Sequence, residues 1–369
     1  MYDAAVPVPL PATTDSAAKQ NAWRRWIAHE TMLRTLLGLY IVDGVVSQFS
    51  GNPTFARHTA NPLLLPSCDA AFAAATSDEW LVHMQTRPST TSTRVRFCDV
   101  YHGLFGRDQE DKVARYDISL FHHKVVLEGI RSLVSEANRT NPPPVGTPSR
   151  HDLLLVLRRL RQNILDSKAL TPTDRLTALL QWHSICLDTA ASTARGTRRM
   201  CHLFGIKQGI FGGSQREESL INPARWAHSA AGRATLLHAA NMQAIAAQLP
   251  LGMAVDVNIP GAVFAVAATY TSFILAGVSK VVVPAVVDWD GALMALQRDP
   301  SRDLGDKQTM DFISGAFDVA GMPKEKYVVR DLSYDLTAVR TLLRGLSLQW
   351  GVAVEMEEVV SAYIERCEL

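Results

Sequence analysis

The sequence predicts an all-α fold, a multi-helix bundle or helical array with long irregular loops and little or no sheet. Three observations carry that expectation. Apolar residues recur at threes and fours through most of the chain, the spacing that lines one face of a helix. Loops bearing Pro and Gly separate those stretches. Only two short runs favour strand, VVVPAVV at 281–287 and YVV at 327–329, and Pro284 demotes the first to an extended connector.

In chain order, residues 1–18 read as a Pro/Ala/Thr-rich disordered lead, and residues 19–369 as one large helical domain with a sub-boundary at 141–149. Trp23, Trp26, Ile27, Leu33, Leu36, Leu37, Tyr40 and Ile41 make a broad apolar helix face, which Gly51 and Pro53 stop. A loop through NPLLLPSCDAAF comes next, and Ser77 or Asp78 caps a short turn carrying Trp80. Residues 89–94 (STTSTR) are a polar linker, 116–137 an amphipathic helix, and NPPPVGTPS at 141–149 a loop, since three prolines cannot continue a helix. Helices are expected at 151–167, at 171 to about 193 with Thr171 as cap and Pro172 in the first turn, and from 224 to about 249 behind Asn222. Two more close the chain, at 336–350 and about 356–366.

Residues 259–278, IPGAVFAVAATYTSFILAGV, lack formal charge and are long enough to cross a bilayer. Their Ala, Gly and Thr content and the missing positive flank favour a buried core helix, so no membrane contact is expected. Lys and Arg number 37 against 36 Asp and Glu, a balance that gives no field for direct nucleic-acid binding. The five cysteines are scattered, without zinc-finger or dithiol spacing, which fits a reducing compartment. The N-terminus has no basic or apolar signal region, so secretion is not expected.

Signatures of chemistry are mostly absent. GGSQR at 212–216 lacks the second glycine and the preceding strand of a nucleophile elbow, and no phosphate-cradling loop or HExxH occurs. Cys98 with His102, and His183 with Cys186, share helix faces but lack the further ligands a metal needs, so no metal or cofactor is expected. The candidates for acid–base work are His122, His123, His228 and His238, because imidazole titrates near neutrality. Trp226, Arg233 and Tyr270 are candidate ligand-binding residues in a cavity between helices. Arg195, Arg198 and Arg199 read as a solvated helix end.

The run Trp23–x2–Trp26–x3–Glu30–x3–Arg34–Thr35, then LLGLYIVDG through Asp43 and a proline-bounded LLLPS, resembles the middle homology region of fungal-specific transcription factors. WAHSAAGRATLLHAANM at 226–242, VVVPAVVDW at 281–289 and LSYDLTAVRTLLRGLSLQWGVAVEM at 332–356 are similar to the downstream segments of the members associated with Cys2His2 fingers. The likeness spans about 23–366 and rests on the order of its motifs. No Cys-x2-Cys or His-x3-His occurs, so this chain holds no DNA-reading finger of its own; it is expected to be either a fragment or a helical body that lost its DNA-binding half.

The resemblance implies a nuclear regulatory module that senses a small molecule or a partner and answers to a DNA-binding partner or the transcription machinery. A cytoplasmic location and a homodimer stay open. The alternative is a repurposed helical enzyme of secondary metabolism, an isomerase or cyclase acting on an apolar metabolite between helices, which would leave no motif. A pure adaptor is a third class.

Overall fold

The N-terminal apolar stripe becomes one long helix in the computed structural model, which describes residues 15–52, 54–55, 63–67, 69–86, 96–106, 119–139, 147–212, 223–250, 256–296 and 305–367. Helix α1, Ser16–Ser50, starts where the Asp15 side chain accepts the Ala18 N–H, and ends at Gly51, whose φ of 74° suits a residue without Cβ. Ser16 to Ala18 therefore belong to the first turn; residues 1–14 of the expected lead lie outside the described residues. By length and composition α1 is apolar enough to cross a bilayer, and its inner face packs on later helices of the chain.

Trp26 is buried against Trp80, their rings 5.8 Å apart, in a satellite cluster with Ala71, Ala74 and Leu81. Trp23 is only half-buried at its rim. The partners lie on α2 (Asp69–Ala73) and α3 (Ser77–Gln85), the latter capped by Thr76 rather than by Ser77 or Asp78. Glu30 and Arg34 form more than a surface pair. Glu30, 1% exposed, accepts the Ser67 N–H at 2.6 Å and Arg34 Nε at 3.1 Å. Arg34 donates in turn to Ser67 O and Asp69, both at 2.8 Å, with its guanidinium over Phe72. The clamp fastens the Leu63–Ser67 stretch to α1, while Asp43 accepts the Phe55 N–H beyond the helix end.

Then come α4 (Phe97–Phe105), α5 (Leu120–Arg139), α6 (Arg150–Asp166) and α7 (Pro172–Ala190). Capping boxes start α6 at Ser149 with Asp152 and α7 at Thr171 with Asp174, the latter with Pro172 in its first turn. A separate helix, α8 (Thr193–Phe204), succeeds the break at Ala191 and Ser192. The expected 89–94 linker, most of the 141–149 loop, GGSQR from 213 on, Asn222, Pro53 and Cys68 fall outside the described residues.

The single helix expected over 224–249 is two, α9 (Pro223–Ala227) and α10 (Ala230–Ala246). Ser229 caps α10 by accepting the Gly232 N–H, and Gly232 lies so close to Trp226 O that a Cβ there would clash, so the chain must turn at His228. Helix α11, Ile259–Leu275, is buried along nearly its whole length, as a core helix. Around it pack α7, α8, α9 and α10 together with α14 (Leu332–Leu346) and α15 (Gly351–Cys367); α12 (Trp289–Met294) and α13 (Lys307–Ser314) lie beside them. Helix α14 begins earlier than expected because Asp331 caps it, and α15 begins at Gly351 rather than at about 356.

A small sheet corrects the reading of VVVPAVV. Strand β1 (Lys280–Pro284) pairs antiparallel with β2 (Tyr327–Asp331), Lys280 opposite Asp331 and Pro284 opposite Tyr327. Pro284 is tolerated because it is the last residue of a two-stranded ribbon.

Trp26→Ala is expected to lower unfolding stability by about 3–5 kcal/mol, and Trp23→Ala by clearly less, in urea denaturation. Equal losses would contradict the burial difference.

Candidate functional site

Six helices, Asn138 of α5 among their residues, converge on a cavity of about 210 Å³. Leu187 and Ala190 of α7, Arg195, Arg199 and Met200 of α8, Trp226 of α9, Thr235 of α10, and Ala265, Ala268, Thr269 and Ser272 of α11 line it. Alanine and hydroxyl residues at 265, 268, 269 and 272 recur at threes and fours, so one face of α11 is too small to fill the space opposite α8. The hydroxyl protons are committed to the helices: Thr235 donates to Ala231 O at 2.8 Å, Thr269 to Ala265 O at 2.9 Å and Ser272 to Ala268 O at 2.8 Å. The indole of Trp226 stands edge-on to Phe273, 6.1 Å away, and forms one wall.

Of the residues expected to act on a ligand, Trp226 alone lines this cavity. Arg233 clamps α10 to α13, donating from Nε to Ile313 O at 2.7 Å and from Nη1 to His228 O at 2.8 Å. His228 is exposed on the turn before α10. Tyr270 donates to Gln243 Oε1 at 2.7 Å, where Arg330 also donates; Arg330 Nε binds Asp335 at 2.9 Å. Tyr270 thus joins α11 to α10, β2 and α14, and burial raises its phenol pKa.

The four histidines do not converge on a reaction centre either. His122 donates from Nε2 to Pro66 O at 2.7 Å and accepts the Ser119 hydroxyl at Nδ1, fastening the 63–67 stretch to α5; burial lowers its pKa to about 4. His123 donates from Nδ1 to Ser119 O at 3.0 Å. His238 meets His183 with Nδ1 to Nδ1 at 2.8 Å, and Asn241 Nδ2 reaches His183 Nε2 at 2.8 Å. With the Asn241 amide as donor, His183 carries its proton on Nδ1 and gives it to His238, which keeps its own on Nε2. No acceptor reaches that Nε2 among the described residues. Trp182 and Trp289 wrap the pair, each edge-on to His183, and burial holds His238 down at about 3. A group that stays neutral so far below neutrality is a poor proton shuttle.

A second buried network has no motif to announce it in the sequence. Glu128 of α5 is fully buried, and a Cβ on Gly44 of α1 would strike its Oε1. Gln181 donates to Glu128 Oε2 at 3.3 Å, and Arg131 Nε stands 3.7 Å from it, an ion pair too long for a hydrogen bond. Burial raises the Glu128 pKa to about 7, against the pull of Arg131. Arg131 Nη1 donates to Gln48 Oε1 at 2.7 Å, Gln48 donates to Asp188 at 3.3 Å, and Asp188 accepts both the amide and the hydroxyl of Thr193, a cavity-lining residue. Nothing in the spacing of Glu128 along its helix points to Gly44, Gln181 or Gln48. Among the described residues no group of three or more His, Cys, Asp or Glu could hold a metal.

These shifts set the pH profile. His122 and His238 fall from 6.5 to about 4 and about 3, so below 6.5 the unfolded chain binds more protons and stability is lost as pH falls through that window. Glu128 rises from 4.5 to about 7, so the folded chain binds more protons there and stability is lost as pH rises through 4.5 to 7. His183 is lowered by burial in the same sense and Asp188 raised like Glu128, so three histidines outweigh two carboxyls, which puts maximum stability at roughly pH 6–7. Glu128→Gln should abolish the decline just above that maximum, up to about pH 7, in urea denaturation, leaving the separate loss at higher pH that the raised pKa values of Cys186, Tyr101 and Tyr270 produce; an unchanged profile below pH 7 would show that Glu128 does not titrate there.

No protein-family model, no curated protein and no solved structure matches the chain.

Proposed function

We propose that this chain is the effector-sensing body of a fungal-type transcription regulator, a module that binds a small molecule and passes the signal to a DNA-reading partner. The preformed cavity beside Trp226 carries the reading. Its described lining contains no His, Asp, Glu or Cys, so it has the walls of a binding site without a proton-transfer group. That composition favours sensing over the isomerase or cyclase alternative. The order of the Trp–Trp–Glu–Arg, LLLPS and C-terminal motifs supports the family assignment, and the network from Asp188 through Gln48 to Glu128 supplies a route from the cavity wall to α1.

The test joins the chain to a heterologous DNA-binding domain and compares wild type with Ala268→Leu, which grows a side chain into the cavity. Metabolite fractions that bind should stabilise the wild type in thermal unfolding, by about 2.7 kcal/mol when free ligand is a hundred times Kd, and should change reporter transcription. Ala268→Leu should fold normally and lose both responses. A reporter indifferent to every stabilising fraction, or conversion of the bound compound by the chain alone, would overturn the reading.

A further inference from the structure

The cavity's charge and its unused donors say what it takes. Two guanidinium groups, Arg195 and Arg199, line it, and no carboxylate among the described residues does. Arg195 is engaged, donating from Nη2 to Asn138 O at 3.0 Å. Arg199, one turn further along the same face of α8, makes no hydrogen bond or ion pair among the described residues, and its Nε–H is sealed from water without an acceptor. The Trp226 indole N–H is likewise buried and without an acceptor. Neither guanidinium has a carboxylate partner among the described residues, and Arg199 alone of the two has no hydrogen bond there either.

Both residues line the cavity, and a buried N–H left without a partner costs about 1–3 kcal/mol, which an acceptor brought within reach would recover. The hydroxyls of Thr235, Thr269 and Ser272 cannot be the complementary donors, their protons being spent on the helix backbone. The apolar part of the wall includes Leu187, Ala190, Met200, Ala265 and Ala268, with Asn138, Ser192 and Thr193 adding polar groups near the start of α8. A cavity of about 150 Å³ admits benzene, and drug-sized ligands need roughly 300 Å³ or more. At about 210 Å³ the space suits a single ring or a short branched chain.

We propose that the cavity binds a compact apolar monocarboxylate, its hydrocarbon against the Leu187–Met200 and Ala265–Ala268 walls and its carboxylate accepting from Arg199 and the Trp226 indole. The assignment rests on the effector-sensing reading above and narrows it to a chemical class. A carboxylate supplies the charge Arg199 lacks and lone pairs on two oxygens for both donors, whereas a neutral amide supplies one oxygen and no charge.

Ligand-observed NMR and calorimetry with phenylacetate, 4-methylpentanoate and the neutral phenylacetamide test this on the full chain. Phenylacetate should bind at least about tenfold more tightly than phenylacetamide, since hydrogen bonds to an ionised group are roughly twice as strong as neutral ones. Arg199→Met should erase that preference while leaving amide binding in place. Trp226→Phe, which keeps the wall and removes only the N–H, should weaken the acid severalfold and serves if the arginine variant does not fold. Ala268→Leu should exclude acid and amide alike. Equal affinity for acid and amide, or acid binding indifferent to both Arg199→Met and Trp226→Phe, would overturn the carboxylate assignment while leaving the cavity as a binding site. Binding of none of the three probes at millimolar concentration would overturn the monocarboxylate class, while the sensing reading is decided separately by the metabolite fractions and the reporter.

Discussion

Burying Glu128 under Gly44 constrains how the N-terminal half goes together. A carboxyl group with no water around it needs partners, and here they come from three helices: Gln181 of α7, Arg131 of its own helix and, through Arg131, Gln48 of α1. Gly44 lets α1 approach closely enough to close the lid, because any side chain there would occupy the position of the carboxylate oxygen. Gly129, next to Glu128, performs the same service for the Tyr101 and Tyr40 hydroxyls. The crossing of α1 and α5 is therefore set by two glycines and one acid. Gln48 carries the consequence onward to Asp188, where α7 ends and α8 begins.

The Glu30–Arg34 clamp ties the first helix to the proline-bounded LLLPS stretch. Glu30, Arg34 and the Leu63–Ser67 stretch are halves of one unit: the acid receives the Ser67 amide, the arginine donates to its carbonyl, and His122 holds Pro66 from the other side. An exposed i,i+4 pair would contribute about 0.3–0.5 kcal/mol; a buried one that also satisfies a loop backbone removes the cost of orphaned polar groups. Spacing reveals that Glu30 and Arg34 share a helix face. It holds no record of the loop some thirty residues away that gives the pair its importance.

The helices are legible where apolar period and capping residues agree, as at Thr171–Pro172 or Gly51, and α11 is legible as core from its lack of charge. Sequence reasoning fails where a tertiary contact decides. The break at His228 depends on Gly232 lying against the Trp226 carbonyl, and the strand ending in Pro284 depends on a partner more than forty residues away. For His122 and His238 the sequence carries no record of burial: titration near neutrality presumes water, and the fold removes it from both. Trp226 stands out because a large aromatic among alanines has to pack against something. Arg199 does not, since only coordinates separate it from Arg195 and Arg198, which have carbonyls to bind.

The position of the cavity matters as much as its lining. Its two long walls belong to helices that are anchored in different directions. Helix α8 is held at its start by Asp188, and so through Gln48 and Arg131 to the end of α1. Helix α11 is held by Tyr270 to Gln243 and Arg330, and so to β2 and α14. A molecule seated between Arg199 and Ala268 touches both, and its size sets their separation. Packed helices respond to such a wedge by shifting as units rather than by deforming locally. The same contacts that satisfy a ligand would thus bias the fit between the α1 side of the protein and the sheet-bearing side, which is the differential interaction that a two-state sensor requires.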